Sequence, residues 1–206
     1  MERIFTMAFG FDIDGVLADS DPQILLAGIR AGYIPKGTCM NDVCERIDDQ
    51  FSISFHDIHA ILDLELYRHI VPNWDVIRDL RRWIDDGEDI VYCTARSDEQ
   101  MPGVQDLTME CLDVWGVLEG SHGVRFMKSR DKYRLAEEFP LLSFTDDYYV
   151  VLDSMEGVVP HLFLMETRTN QTVTNRPRMS WEDIADKIDM IRLYGSDSIM
   201  ESTTSA

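Results

Sequence analysis

The segment Ile4 to Asp12 is apolar almost to its last residue, then breaks into Asp12-Ile13-Asp14-Gly15. Polar and apolar residues do not alternate along it, as expected for a strand covered on both faces of a parallel sheet. Such a strand needs crossover helices above and below it, so the rest of the chain must supply them. Gly15 suits the sharp turn that has to follow.

That requirement is met from Trp74 onward. Trp74, Ile77, Leu80, Arg81 and Ile84 recur at helical spacing, and Gly87 stops the helix. Asp89 to Cys93 reads as a strand ending in Thr94-Ala95-Arg96, Val104 to Trp115 as a helix, and Gly123 to Met127 as a strand. A short helix over Asp131 to Phe139, with Asp131 as its cap, precedes a strand over Leu141 to Thr145 that ends in Asp146-Asp147. His161 to Met165 is a further strand. Ser180 and Asp183 open a last helix with Trp181, Ile184, Ile188 and Ile191 on one face. Strand and helix alternating at this spacing predict an α/β fold, a three-layer Rossmann-like open parallel sheet.

Residues 19 to 73 have a different character. Pro22 to Ala31, capped by Asp21, reads as a helix, and Asn41 to Asp49 and His56 to Arg68 as short amphipathic ones. The domain reading is therefore a catalytic core of residues 1–18 and 74–206, with a small helical cap, 19–73, inserted after the first strand. His56 and His59 lie three apart on one expected helix, but no third ligand makes them a zinc site.

With 19 basic and 38 acidic residues the net charge is −19, which disfavours nucleic acid and anionic membrane faces as partners. No apolar stretch is long enough for a membrane span. The stretch from Ile4 to Leu17 lacks the basic start of a secretory signal. Cys39, Cys44, Cys93 and Cys111 form no zinc-knuckle spacing and read as reduced thiols of a cytoplasmic protein. The oligomeric state stays open, a homodimer among the options.

In an open parallel sheet, ligands bind beyond the carboxyl ends of the strands. Asp12, Asp14, Thr94, Lys128 and the pair Asp146-Asp147 all fall at such ends. Each alone has a plainer role: an Asp caps a turn, a Thr ends a strand, a lysine is solvated. Carboxylates gathered at one edge repel unless a cation sits among them, and oxygen ligands suit a hard ion such as Mg2+.

Asp12-Ile13-Asp14-Gly15-Val16-Leu17-Ala18-Asp19 resembles the first motif of the haloacid dehalogenase superfamily. Thr94 after Val91-Tyr92-Cys93 resembles its second, Lys132 its third, and Asp146-Asp147 after Leu142-Ser143-Phe144-Thr145 its fourth, in the family's order. The sequence DGVLAD followed by a helical insertion is similar to the 5′(3′)-deoxyribonucleotidases, as are Thr94-Ala95-Arg96 and Asp131-Lys132. Where those enzymes place a stacking aromatic after DGVLAD, this chain has Ser20. Phe51, Phe55 and Tyr67 are candidates for that role in the cap.

The resemblance implies a Mg2+-dependent phosphomonoester hydrolase acting on a small nucleotide such as a deoxyribonucleoside monophosphate. Asp12 is then the nucleophile that forms an aspartyl-phosphate, and Asp14 the acid–base. Metal is held by Asp12, the Asp14 backbone and an acid of the last motif, Asp147 favoured over Asp146. Ser20, Thr94, Ala95, Arg96 and Lys132 bind the substrate, with Lys128 the alternative lysine.

Three other readings stay on the table: a phosphatase for another small ester, one for a nucleic-acid end phosphate, and a non-catalytic phosphate-binding or regulatory protein. A signalling receiver places its acidic pair first along the chain, whereas here the pair comes last. A dehalogenase has no need of a second acid at Asp14.

Overall fold

The computed structural model of the chain describes residues 7–54, 57 and 61–195. Ile4 to Thr6, Phe55, His56 and His59 lie outside the described residues, so the expectations placed on them have no structural counterpart here.

The first strand, β1 (Ala8–Phe11), is buried at every position. It sits inside a six-stranded sheet with β4 (Ile90–Thr94) on one side and β6 (Leu141–Asp146) on the other. β5 (Val124–Phe126) lies outside β4, and β7 (His161–Met165) then β8 (Arg178–Met179) lie outside β6. All of its pairings are parallel. The chain runs to opposite sides of β1 in its two halves, so the carboxyl end of β1 is the switch point where such sheets bind ligands.

Alternation along each strand feeds two separate cores, which makes the architecture three-layered. Phe9, Phe11, Ile90 and Tyr92 point into one, with α4 (Trp74–Asp85), α5 (Val104–Val114) and α8 (Trp181–Tyr194). Ala8, Val91, Cys93 and Phe144 point into the other, with α6 (Leu135–Glu138) and α7 (Tyr149–Ser154). Phe11, the residue before Asp12, packs against Trp83 at 6.1 Å between ring centroids and against Trp181 at 6.3 Å. Two aromatic rings thus hold the strand end that carries the first acid. At Gly10 a side chain would collide with the Phe144 ring, so the close approach of β1 and β6 needs glycine.

Between β1 and α4 the chain leaves and returns through a two-stranded antiparallel pair, β2 (Ala18–Asp19) with β3 (Val71–Pro72). The excursion carries α1 (Asp21–Ala31), α2 (Ile47–Gln50) and α3 (Leu64–Arg68). None of the six sheet strands comes from it.

Several local expectations are corrected. α1 begins at Asp21, with Ser20 at its cap position, so the Asp21 carboxyl is not the cap and turns towards the site. The helix expected over Asn41 to Asp49 is instead a 3-10 turn at Met40–Asp42 and the short α2. Local side chains win there: Asp42 accepts from the Cys39 N–H at 2.8 Å, and Gln50 accepts from the Cys44 and Glu45 N–H groups. The helix expected to run to Arg68 is interrupted at Leu62 and Asp63, because Asp63 caps α3 by accepting from Leu66 N–H at 2.9 Å. Asp131 lies inside a 3-10 turn, Ser129–Arg134, and caps nothing. On α4 the buried face is Val76, Ile77, Leu80 and Trp83, while Trp74 is 58% exposed. The Ser180 cap of α8 is as expected, accepting from Asp183 N–H at 3.1 Å. All four cysteines are free. Among the described residues, no helix is long and apolar enough to cross a membrane.

Candidate active site

A cavity of about 160 Å³ opens at the carboxyl end of β1. Asp12 stands at its floor. Its backbone N–H donates to Thr145 O at 2.9 Å, which continues the sheet by one residue. Its Oδ1 accepts from the Ile13 N–H at 2.7 Å, leaving Oδ2 towards the Lys132 ammonium at 2.8 Å. Lys132 reaches the floor from the turn after β5 and also lies 2.8 Å from Asp146 Oδ2. It is only 2% exposed. Burial alone would drive its proton off, but the charges of Asp12 and Asp146 outweigh that and push its pKa up.

Asp146 is committed on both oxygens, since its Oδ1 accepts from the Tyr148 N–H at 2.8 Å. Asp147, next along, presents its carboxylate against Gly15. That glycine has φ +78°, and a Cβ there would strike the Asp147 carboxylate. The turn Asp14-Gly15 and the acidic pair therefore fit together only because residue 15 has no side chain.

The carboxylates of Asp12, Asp146 and Asp147 offer oxygens within 4.8 Å of one another. Lys132 is the ammonium among them, and it is short of the charge they carry. Burial, with the neighbouring carboxylates Asp146 and Asp14 adding to it against Lys132, raises the pKa of Asp12 to about 7. Burial and the charges of Asp146, Asp12 and Asp21 raise that of Asp147 well above the usual carboxylate range. Three acids held together at that cost have the donor set and the missing positive charge of a site for a hard divalent cation. The residues present fit such an ion.

Asp14 turns the other way. Arg96 grips it with both ends of its guanidinium, Nε to Oδ2 and Nη2 to Oδ1, each 2.9 Å. Burial pushes the Asp14 pKa up, but the Arg96 charge and hydrogen bonds, with one from Ser20, hold it below the usual value. Thr94, fully buried, places its Oγ1 3.5 Å from Asp14 Oδ2 and accepts from the Arg96 N–H.

Every expected site residue is therefore gathered here: Asp12, Asp14, Thr94, Arg96, Lys132, Asp146 and Asp147 by these contacts, Ser20 and Ala95 as cavity wall. Lys128 is not. It is exposed and lines a neighbouring groove. Of the cap aromatics, Tyr67 lines the cavity, and Phe51 packs against the core.

Sequence reasoning missed Asp21, Arg46 and Tyr148, which also line the cavity. The Arg46 guanidinium lies 4.8 Å from the centroid of the Tyr148 ring, joining the inserted segment to the loop after β6. Tyr148 directly follows the acidic pair, and that adjacency was the available signal. Arg46 carried none. Asp21 hid behind its plausible role as a cap. Burial and the charge of Asp19 raise its pKa to about 6.

No family model matches the chain. The solved structure of a Thermotoga maritima protein described as "putative beta-phosphoglucomutase" superposes with a TM-score of 0.58 at 14% identity, over 90% of this chain and all of that one. The chain shares the fold of that protein. A haloacid dehalogenase-like family hydrolase from Xanthomonas campestris gives a TM-score of 0.50 at 15% identity, covering 90% of this chain and 96% of its own. By sequence, the chain is 26% identical over 197 residues to a Bacillus cereus protein described as "Putative nucleotidase", spanning 88% of this chain and 98% of that one. The cavity sits at the switch point of this parallel sheet, at the carboxyl end of β1.

Proposed function

We propose that this protein is a Mg2+-dependent phosphomonoester hydrolase that works through an aspartyl-phosphate on Asp12. The observation that carries this is the arrangement on the cavity floor. Lys132 bridges Asp12 and Asp146 at 2.8 Å each, with the Asp147 carboxylate alongside.

Asp12 attacks phosphorus through a carboxylate oxygen, and the bond from phosphorus to the leaving oxygen breaks. Asp14, ionised against Arg96 in the free protein, takes up the proton that a phosphate monoanion carries into the site and gives it to that oxygen. It then takes one from the water that hydrolyses the aspartyl-phosphate, which returns Asp12 and releases inorganic phosphate. Lys132 holds the nucleophile in place and balances charge on the transferring group, and Thr94 donates to a phosphoryl oxygen. Asp12, Asp147 and the Asp14 backbone would hold the metal, with Asp146 committed to Lys132 and Tyr148. A bound magnesium ion would neutralise charge so that two anions can approach.

Residues 19–73 are proposed to act as a cap that covers the site and reads the leaving group. The substrate class we propose is a small nucleotide such as a deoxyribonucleoside monophosphate. The description of the Bacillus cereus relative and the DGVLAD segment with its helical insertion support it.

The test is release of inorganic phosphate from a panel of phosphomonoesters, deoxynucleoside 5′- and 3′-monophosphates among them, with and without magnesium. Metal-dependent turnover that Asp12→Asn abolishes is the expected result. A folded, magnesium-loaded protein that turns over no ester overturns the reading.

A further inference from the structure

Arg96 is buried, 7% exposed, and each of its three guanidinium nitrogens already donates. Nε and Nη2 fork onto Asp14, and Nη1 donates to Thr108 Oγ1 at 3.0 Å. Thr108 is itself fixed, donating to Val104 O at 2.7 Å within α5. The face of the guanidinium lies 4.9 Å from the centroid of the Tyr67 ring, on α3 of the inserted segment. Tyr67 is 8% exposed, so the contact is shielded from water.

A bidentate guanidinium fixes both the position and the rotation of a carboxylate, which a point charge does not. Here the fork is held on two further sides, by α5 through Thr108 and by the inserted segment through Tyr67. Beyond the Arg96 fork, Asp14 is held by a single hydrogen bond from Ser20 and by Thr94 Oγ1 at the long distance of 3.5 Å, neither of which fixes its rotation as a fork does.

We propose that Arg96 and Tyr67 are positioning residues that aim the Asp14 carboxyl at the leaving-group oxygen, Tyr67 acting through Arg96. Arg96 is then not principally a phosphate ligand, and the inserted segment takes part in the proton transfer as well as in covering the site. This rests on the phosphatase reading, in which the Asp14 proton goes to the leaving oxygen while that oxygen's bond to phosphorus breaks and the Asp12 oxygen–phosphorus bond forms.

The leaving group supplies the readout. An alkyl phosphate expels a strongly basic oxygen and needs the proton, whereas p-nitrophenyl phosphate expels a weakly basic one and does not. The value of kcat/KM reports only steps up to the first irreversible one, so it isolates this half of the reaction. The experiment measures kcat/KM for both esters, magnesium present, on wild type, Arg96→Lys, Tyr67→Leu, Tyr67→Phe and Thr108→Val.

The ratio of alkyl to p-nitrophenyl kcat/KM should fall at least about tenfold in Arg96→Lys, since an acid catalyst contributes about 10²- to 10⁴-fold. It should fall in the same direction in Tyr67→Leu and Thr108→Val. Tyr67→Phe, which keeps the ring face, should restore the ratio to within about threefold of wild type.

Equal loss on both esters in Arg96→Lys would mean that Arg96 grips the phosphate or supports the fold, and would overturn the proposal. So would an unmoved ratio, or a Tyr67→Phe no better than Tyr67→Leu. A wild type that hydrolyses neither ester overturns the phosphatase reading and this inference with it. A wild type active on both, with the ratio unmoved by the variants, overturns this inference alone.

Discussion

The Lys132 ammonium lies 2.8 Å from Asp12 Oδ2 with both side chains almost wholly removed from solvent, at 2% and 9% exposure. A charge pair this deep is costly to assemble and costlier to break, because removing one partner strands the other without water. Asp146 shares the same ammonium, so one substitution strands two carboxylates.

Lys132→Met, which keeps the stem and removes the charge, should therefore destabilise the metal-free protein by about 3–5 kcal/mol. Urea unfolding in the presence of a chelator measures this. A loss within the experimental error would mean that the ammonium is not balancing the two acids.

Asp147 should behave in the opposite sense. Burial and its acidic neighbours already raise its pKa well above the usual range, so its charge strains the metal-free fold. Asp147→Asn should raise the melting temperature without metal and weaken magnesium binding by at least about tenfold. Thermal melts with and without magnesium, together with calorimetric titration, separate the two effects. A variant that melts lower without metal and binds magnesium as before would contradict both halves.

Gly15 has two reasons to be glycine, its φ of +78° and the Asp147 carboxylate against it. Gly15→Ala should cost at least about 1–2 kcal/mol from the backbone conformation alone. Displacement of Asp147 should reduce metal affinity as well. Retained affinity with lowered stability would show that the backbone alone needs the glycine.

Far from the site, Asp189 accepts from Arg82 at 2.8 Å, Arg192 at 2.7 Å and Trp83 Nε1 at 2.8 Å. Burial opposes its ionisation, but the hydrogen bonds from Arg82, Arg192 and Trp83 prevail and lower its pKa. Since the folded pKa is the lower one, the stabilisation is present above the unfolded value of 3.8 and is lost as the pH falls through the folded value. Asp189→Ala should cost about 1–3 kcal/mol at neutral pH. Its difference from wild type should shrink between neutral pH and a pH below the unfolded value of 3.8, as the native carboxylate protonates. Denaturant titrations at the two pH values test this, and a difference that grows in acid would reverse the assignment.

Local chemistry legible in the chain determined a good deal of this protein. Continuous burial of β1 follows from its unbroken apolar residues, and the positions of Asp12, Thr94 and Asp146 follow from where apolar strands stop. The edge that gathers them is a consequence of parallel strands, so the sequence places the acids, the threonine and one of Lys128 and Lys132 together. Helix ends were legible where a side chain caps its own backbone, as Ser180 does.

Only the tertiary structure decided the partners. That Arg96 grips Asp14, or that Lys132 and not Lys128 reaches the floor, depends on side-chain reach across elements far apart in sequence. The inserted segment was the least legible part, because its short helices compete with local side-chain hydrogen bonds such as those of Asp42, Gln50 and Asp63. Arg46 and Tyr67 reach the cavity from that segment through stacking on Tyr148 and Arg96, contacts that leave no periodic trace along the chain. Hydrophobic pattern is a property of neighbours in sequence, and the chemistry of this site is a property of neighbours in space.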